Sequence, residues 1–284
     1  MAAPRSSRAG AGAVIVLVLI IAALAISKAT HVHFATPGSS GCLIHGGSFN
    51  VQLDPGQAGI AATIAGVAAH RSMPARAVTI AYAAALQESD LQNLPYGDRD
   101  SVGVFQQRPS QGWGSRSHLL DPVYATTRFF AALAAVPHYL RLPIYQAAQA
   151  VQHSADGLAY SQYAPQGAAM TGAFSGRQSH AVWCWYSAPI RGRGRLTAAE
   201  AALRTTFGRL AIRHVGDPLA RVEVRTVAAG WAVAAWLVSH ASSFRLQRVI
   251  YHGYQWTSAH GRKGWTPVPR SARRTAAPLA VAFG

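Results

Sequence analysis

Eighteen consecutive residues without a charge, Ala9 to Ile26, decide where the rest of this chain can fold. As a helix they span about 27 Å, enough for a bilayer core. Arg5 and Arg8 stand just before the run, which keeps the N-terminus in the cytoplasm and sends everything after it outward. The length of the run favours an uncleaved transmembrane anchor. A cleaved signal peptide, cut at Ala25-Ile26-Ser27 or Ser27-Lys28-Ala29, is the competing reading and would make the protein secreted. Both readings put the folded part in an oxidising compartment. The chain has two cysteines, Cys42 and Cys184, and a single disulfide between them is the expected state.

Half of the 284 residues are apolar and 13% are charged, so most of the chain folds. The formal charge of +16 is nearly all arginine, since Lys28 and Lys263 are the only lysines. Such a surface suits nucleic acid, anionic lipid or an anionic cell wall. Export makes nucleic acid the least expected partner. A protein that binds DNA at the surface stays as a third reading, marked by binding that falls steeply with salt. In the linker, residues 30–50, His31-x-His33 has the spacing of a metal pair, but two histidines in a tail are more often simple polar residues. Neither a metal nor a cofactor is expected.

Punctuation marks the helices. Asp54-Pro55-Gly56-Gln57 combines an N-cap, a proline at the first helical position and a capping box, for a helix to about His70. Pro74 opens a second, ending at Glu88. Asp121-Pro122 opens a third, with Val123, Phe129, Phe130 and Leu133 facing the core, and Pro143 a fourth through Ala147, Ala148 and Val151. A fifth lies between Gly157 and Gly172. Arg191-Gly192-Arg193-Gly194-Arg195 reads as a linker. Beyond it come a helix from Leu196 to Leu210, a strand from Val222 to Val227, a helix from Trp231 to His240 and a strand from Arg248 to Trp256. The expected architecture is α+β: a stub and anchor in 1–29, a mostly α domain in 51–187, a linker in 188–195 and a small α/β domain in 196–284.

The chemistry concentrates between Leu86 and Pro109, which holds four of the ten acidic residues: Glu88, Asp90, Asp98 and Asp100. Glu88 ends an apolar stripe with Ala77, Ala81 and Ala84, at i−11, i−7 and i−4. Partial burial there favours the protonated carboxyl that a general acid requires. The following segment is rich in amides and glycines, suited to hydrogen-bonding a sugar or peptide. Asp98 and Asp100 are candidates for a second carboxylate. Their sequence, Tyr-Gly-Asp-Arg-Asp, reads equally as a turn held by Arg99 salt bridges.

Glu88-Ser89 with Ser101-Val102-Gly103-Val104-Phe105-Gln106 resembles the Glu-Ser … Gly-Leu-Met-Gln pattern of lytic transglycosylases and goose-type lysozymes. It is closer to secreted actinobacterial lysozyme-like proteins that carry Asp-Ser-x-Gly-x-Phe-Gln-Gln-Arg-Pro. The resemblance spans residues 50 to 185 or so. It implies a lysozyme-like domain acting on peptidoglycan glycan strands, with Glu88 as the catalytic acid and Gln106 on the glycan. Ser89, Tyr96, Ser101, Gln107 and Gln152 complete the expected groove. The family's Ala-Tyr-Asn motif, whose Tyr supports the Glu, corresponds to Ala150-Val151-Gln152, which lacks the Tyr. Gln152 stands in for the Asn, and Tyr160 or Tyr163 is placed to approach from the next segment. The alternative to an enzyme is a glycan-binding protein that keeps the fold without cleaving. At the C-terminal end, Gly230-Trp231-Ala232-Val233-Ala234 and Val249-Ile250-Tyr251-x-x-Tyr254-x-Trp256 resemble domains related to zinc D,D-peptidases. Arg221-Val222-Glu223 and Leu279-Ala280-Val281-Ala282 fall where that family keeps its metal ligands, and without imidazoles a zinc site lacks its donors.

Overall fold

The computed structural model describes residues 39–47, 50–153, 157–216, 219–269 and 279–283, a mixture of helix and antiparallel sheet. The anchor reading and the His31-x-His33 pair lie outside the described residues. Among the described residues no helix is long and apolar enough to cross a membrane. The described residues belong to one compact unit.

Strands β1 (Gly41–His45) and β2 (Asn50–Leu53) form a hairpin, and β3 (Val182–Trp185) pairs with the other side of β1. The register sets Cys42 directly opposite Cys184, and the two are joined as the expected disulfide across 142 residues. Between β2 and β3 the regular structure of the described residues is helical. Helix α1 (Pro55–His70) starts as its sequence predicts: Gln57 N–H donates to Asp54 Oδ1 at 2.8 Å, and Asp54 N–H donates to Gln57 Oε1 at 2.9 Å. Next come α2 (Ala75–Ser89), a single turn α3 (Arg116–Leu119), α4 (Pro122–Ala135) and α5 (Ile144–Gln152). The expected fifth helix starts as a 3-10 segment, Gly157–Tyr163, and becomes α-helical only at α6 (Ala164–Phe174), behind Pro165.

The C-terminal half contains α7 (Leu196–Phe207), β4 (Ala211–His214), β5 (Leu219–Glu223), α8 (Val227–Ser239), α9 (Ala241–Phe244), β6 (Leu246–Tyr251), β7 (Tyr254–Thr257), β8 (Thr266–Pro267) and β9 (Leu279–Phe283). Its sheet runs β4-β5-β9-β6-β7-β8, every pair antiparallel. The helix expected from Leu196 to Leu210 ends at Phe207 and the one expected from Trp231 to His240 spans Val227–Ser239, and two further differences have a visible cause. The strand expected to reach Val227 stops at Glu223, because the Thr226 hydroxyl accepts from Ala229 N–H at 3.1 Å and caps α8. The single strand expected from Arg248 to Trp256 is a hairpin. His252 and Gly253 both turn left-handed (φ 47° and 83°), as the tightest hairpin turns require.

Helix α1 is buried on nearly every side, because most of its side chains are alanine, glycine or valine. It packs against α2 and α4 on one flank and α7 and α8 on the other. A Cβ at Gly66 would lie 2.4 Å from Thr206 Cγ2, so α7 sits against bare backbone there. Side-chain bonds join the halves at β3. Trp256 Nε1 donates to Cys184 O at 2.9 Å, Trp265 Nε1 to Val182 O at 2.7 Å, and Tyr186 Oη to Val238 O at 2.9 Å.

His240, at the C-terminal end of α8, lies in this seam. Its ring stacks on Trp236 at 4.1 Å, and Nε2 would be 3.2 Å from a Cβ at Gly59. Trp236 O can only accept, so Nδ1 donates to it, at 2.8 Å, and the ring is the neutral Nδ1–H tautomer. Burial pushes the imidazole down to about 4, the hydrogen bond to Trp236 opposing part of that shift. In the unfolded chain the ring protonates from pH 6.5 or so downward. The protein is therefore expected to hold its full stability above about pH 6.5 and to lose at most about 3 kcal/mol as the pH falls to about 4. Denaturant midpoints measured across that window check it. His240→Asn, which keeps a donor without the titration, should flatten that part of the profile.

Candidate active site

Glu88 occupies the last turn of α2, a helix buried by alanines from Ala77 to Ala85 and pinned by Tyr82, whose hydroxyl donates to Ala61 O at 2.8 Å. The helix stops at Ser89, one residue after Glu88, and Asp90 and Leu91 take left-handed backbones (φ 52° and 58°). That turn is held from α1: Gln57 Nε2 donates to Asp90 O at 2.8 Å and to Asp90 Oδ2 at 2.9 Å. One glutamine thus completes the capping box of α1 and fixes the chain two residues past Glu88. The sequence reading assigned Asp90 no role. Only the tertiary contact with α1 reveals one.

The loop from Gln92 to Ser115 is tied down from beneath. Ser89 Oγ donates to Val104 O at 2.7 Å, Gln152 Nε2 donates to Phe105 O at 2.7 Å, and Phe105 stacks on Phe129 at 4.4 Å. Val102 and Gln107 bond reciprocally, at 3.1 Å each way, and close a tight turn. Gly103 lies at φ 80°, and a Cβ there would sit 2.3 Å from Leu119 O; both the conformation and the space demand glycine. Gln106, also left-handed at φ 46°, swings away from the core toward Gly97. Its amide donates to Gly103 O at 3.1 Å and to Tyr96 O at 3.3 Å. A Cβ on Gly97 would collide with Gln106 Oε1 and approach Ser101 O to 2.9 Å. The turn therefore gathers Tyr96, 68% exposed, and the half-buried Gln106 over Ser101, which is itself buried.

Other candidates are placed differently. Gln107 is 2% exposed and points inward, its amide donating to Ala125 O at 3.3 Å, so it supports the turn from below. Ser89 and Gln152 hold the loop by hydrogen bonds to its carbonyls. Asp98 projects into solvent, 91% of its side chain exposed, with Arg99 Nε at 3.9 Å. Asp100 is bound not by Arg99 but by Arg108 Nε at 2.8 Å, with Ser110 N–H at 2.7 Å and Ser110 Oγ at 3.0 Å. The Arg108 bond and the two from Ser110 hold its carboxyl far below the usual range. A carboxylate so firmly ionised is a weak base.

The 3-10 segment brings Tyr160 to Glu88. This tyrosine is fully buried, and its hydroxyl donates to Glu88 Oε1 at 2.6 Å. Glu88 itself is only part-buried, at the border between the alanine core and the loop. Tyr163 lies nearer Asp90: burial raises its hydroxyl above the usual value, with the Asp90 charge adding to the effect. Of the two tyrosines that stand near in sequence, Tyr160 reaches the carboxylate. The arrangement comprises one carboxyl oriented by a buried phenol, next in sequence to Ser89, which is bonded to the amide-rich loop. It can transfer a proton to an oxygen of a bound ligand.

The family described as VldE, C-terminal domain matches residues 220–278. That stretch lies wholly in the C-terminal half and includes none of the residues around Glu88. No curated protein matches the chain.

Proposed function

We propose that this protein cleaves the β-1,4 glycan strand of peptidoglycan outside the membrane, with Glu88 as the proton donor. The observation that carries this reading is the 2.6 Å bond from the buried Tyr160 hydroxyl to Glu88 Oε1. It restores, from a different segment, the phenol that Ala150-Val151-Gln152 lacks. With Oε1 held, the transferable proton belongs on Oε2. In the one-carboxylate route this proton passes to the glycosidic oxygen as the C1–O4 bond breaks. The sugar's own 6-hydroxyl then closes on C1 and returns its proton to Glu88, leaving a 1,6-anhydro end and a free 4-hydroxyl. Hydrolysis would need a second carboxylate, and Asp98 and Asp100 are engaged in the loop's own turn and ion pair. Tyr96 and Gln106 would line the saccharide groove, with Ser101 beneath them.

Incubating the full-length protein with purified peptidoglycan tests the reading. Release of muropeptides with 1,6-anhydromuramic ends is the expected mass-spectrometric result. Reducing ends would mean hydrolysis, and glycan binding without any release would leave a wall-binding protein.

Tyr160→Phe removes only the hydroxyl. A hydrogen bond to a charged group is worth about 1.5–3 kcal/mol, so kcat should fall about ten- to a hundredfold with KM unchanged. A phenol that merely packs would leave kcat untouched.

A further inference from the structure

The charge is unevenly shared along the chain. Residues 188–284 hold fifteen of the 26 Lys and Arg but three of the ten acidic residues, a net +12, whereas residues 39–187 hold eight against seven. On the second sheet, Ala220, Val222 and Val281 face α7 and α8. The opposite face is an open trough of about 230 Å³ along β9. Register fixes its layout. Ala280 stands opposite Arg221 on β5 and Ile250 on β6; Ala282 stands opposite Leu219 on β5 and Arg248 on β6. Each row places an arginine on one side of an alanine floor and an aliphatic side chain on the other, in alternation.

Strands lie about 4.8 Å apart, and two residues along a strand are about 6.8 Å, so the Arg221 and Arg248 backbones are about 12 Å apart diagonally across the trough. Two long side chains converge easily over that distance. Arg213 on β4 lies directly opposite Arg221, and like charges in that position are unfavourable. Glu223 pairs with Arg213, while among the described residues neither the Arg221 nor the Arg248 side chain has a hydrogen-bond or ion-pair partner. A bound anion would relieve the repulsion.

We propose that this trough binds an aliphatic polyanion, a polyol chain linked by phosphodiesters. Arg221 and Arg248 would take the phosphates, and the alanine floor with Leu219 and Ile250 would take the polyol carbons. The lining favours this ligand over nucleic acid because it contains no aromatic ring, and single strands bind largely by stacking bases on such rings.

The test uses the full-length chain in non-ionic detergent and poly(glycerol phosphate) as the probe. The wild type should bind, less tightly as salt rises. Arg221→Ala/Arg248→Ala should weaken binding at least about tenfold, the order expected for losing a charge-assisted hydrogen bond. The melting temperature should hold or rise. Ala280→Glu, which sets a carboxylate on the floor, should weaken binding by a separate route. Arg209→Ala/Arg225→Ala, an equal charge loss at exposed positions outside the lining, should leave affinity within about twofold if the trough is the site. No binding by the wild type, equal weakening by the two arginine pairs, or tighter binding of a single-stranded DNA of matched charge would each overturn the proposal. The readout does not involve Glu88, so it stands or falls apart from wall cleavage.

Discussion

Glu88→Gln is expected to abolish release of muropeptides while leaving the melting temperature where it was. Glutamine has the size of glutamate, and its Oε1 can still accept the Tyr160 hydroxyl that Glu88 accepts at 2.6 Å. What disappears is the transferable proton. General acid catalysis accounts for about two to four orders of magnitude in rate, and the loss should lie in or beyond that range. A purely structural role gives the opposite pattern. Stripping the charge from a buried pair costs about 3–5 kcal/mol, so melting would drop while any turnover survived. Activity and melting measured on one preparation separate the two cases. Turnover persisting in Glu88→Gln would remove Glu88 from the mechanism.

The largest effect on stability is expected from the Cys42–Cys184 bridge. It closes a loop across 142 residues between neighbouring strands whose cysteines are fully buried. Chain entropy alone gives such a link about 5 kcal/mol, since the opened chain regains the freedom of the whole intervening segment. For a folded region of this size, about 1 kcal/mol moves the melting temperature by roughly 2–4 °C, so the double Cys→Ala variant should melt about 10–20 °C lower. Native protein should show no thiol accessible to alkylation before reduction. A shift of less than about 2 °C would mean that strand pairing alone, not the covalent link, closes the domain.

Local chemistry made much of this architecture readable from the residues. Asp54-Pro55-Gly56-Gln57 needs only itself to start a helix, and its two reciprocal bonds are where they were expected. Two cysteines leave only one pairing within the chain. What stayed hidden depends on residues distant in sequence or on uncommon turn chemistry. Arg99 adjoins both Asp98 and Asp100, yet Asp100 is held by Arg108, because the Val102–Gln107 turn doubles the chain back. The neighbours Gln106 and Gln107 look equivalent, but the left-handed backbone at Gln106 turns one side chain to the surface and leaves the other inside. The His252-Gly253 turn escaped because His-Gly is not among the Asn-Gly, Asp-Gly and Gly-Gly pairs that usually signal a hairpin. Nothing in the spacing could choose Tyr160 over Tyr163. That choice is made by the 3-10 segment, Gly157–Tyr163, whose register the spacing of the two tyrosines does not fix.

Helix α1 has an obligation on each of its flanks. Gly59 and Gly66 let the C-terminal helices rest against its backbone, while Gln57, at its first turn, holds the residue that follows the Glu88 helix. Substitutions along this helix are therefore constrained by two neighbours at once. A side chain added at Gly66 to suit one half must displace Thr206 of the other. The two halves cannot drift independently in sequence along this seam. A change on α7 or α8 must be answered on α1, within about three turns of the residue that holds the end of the Glu88 helix.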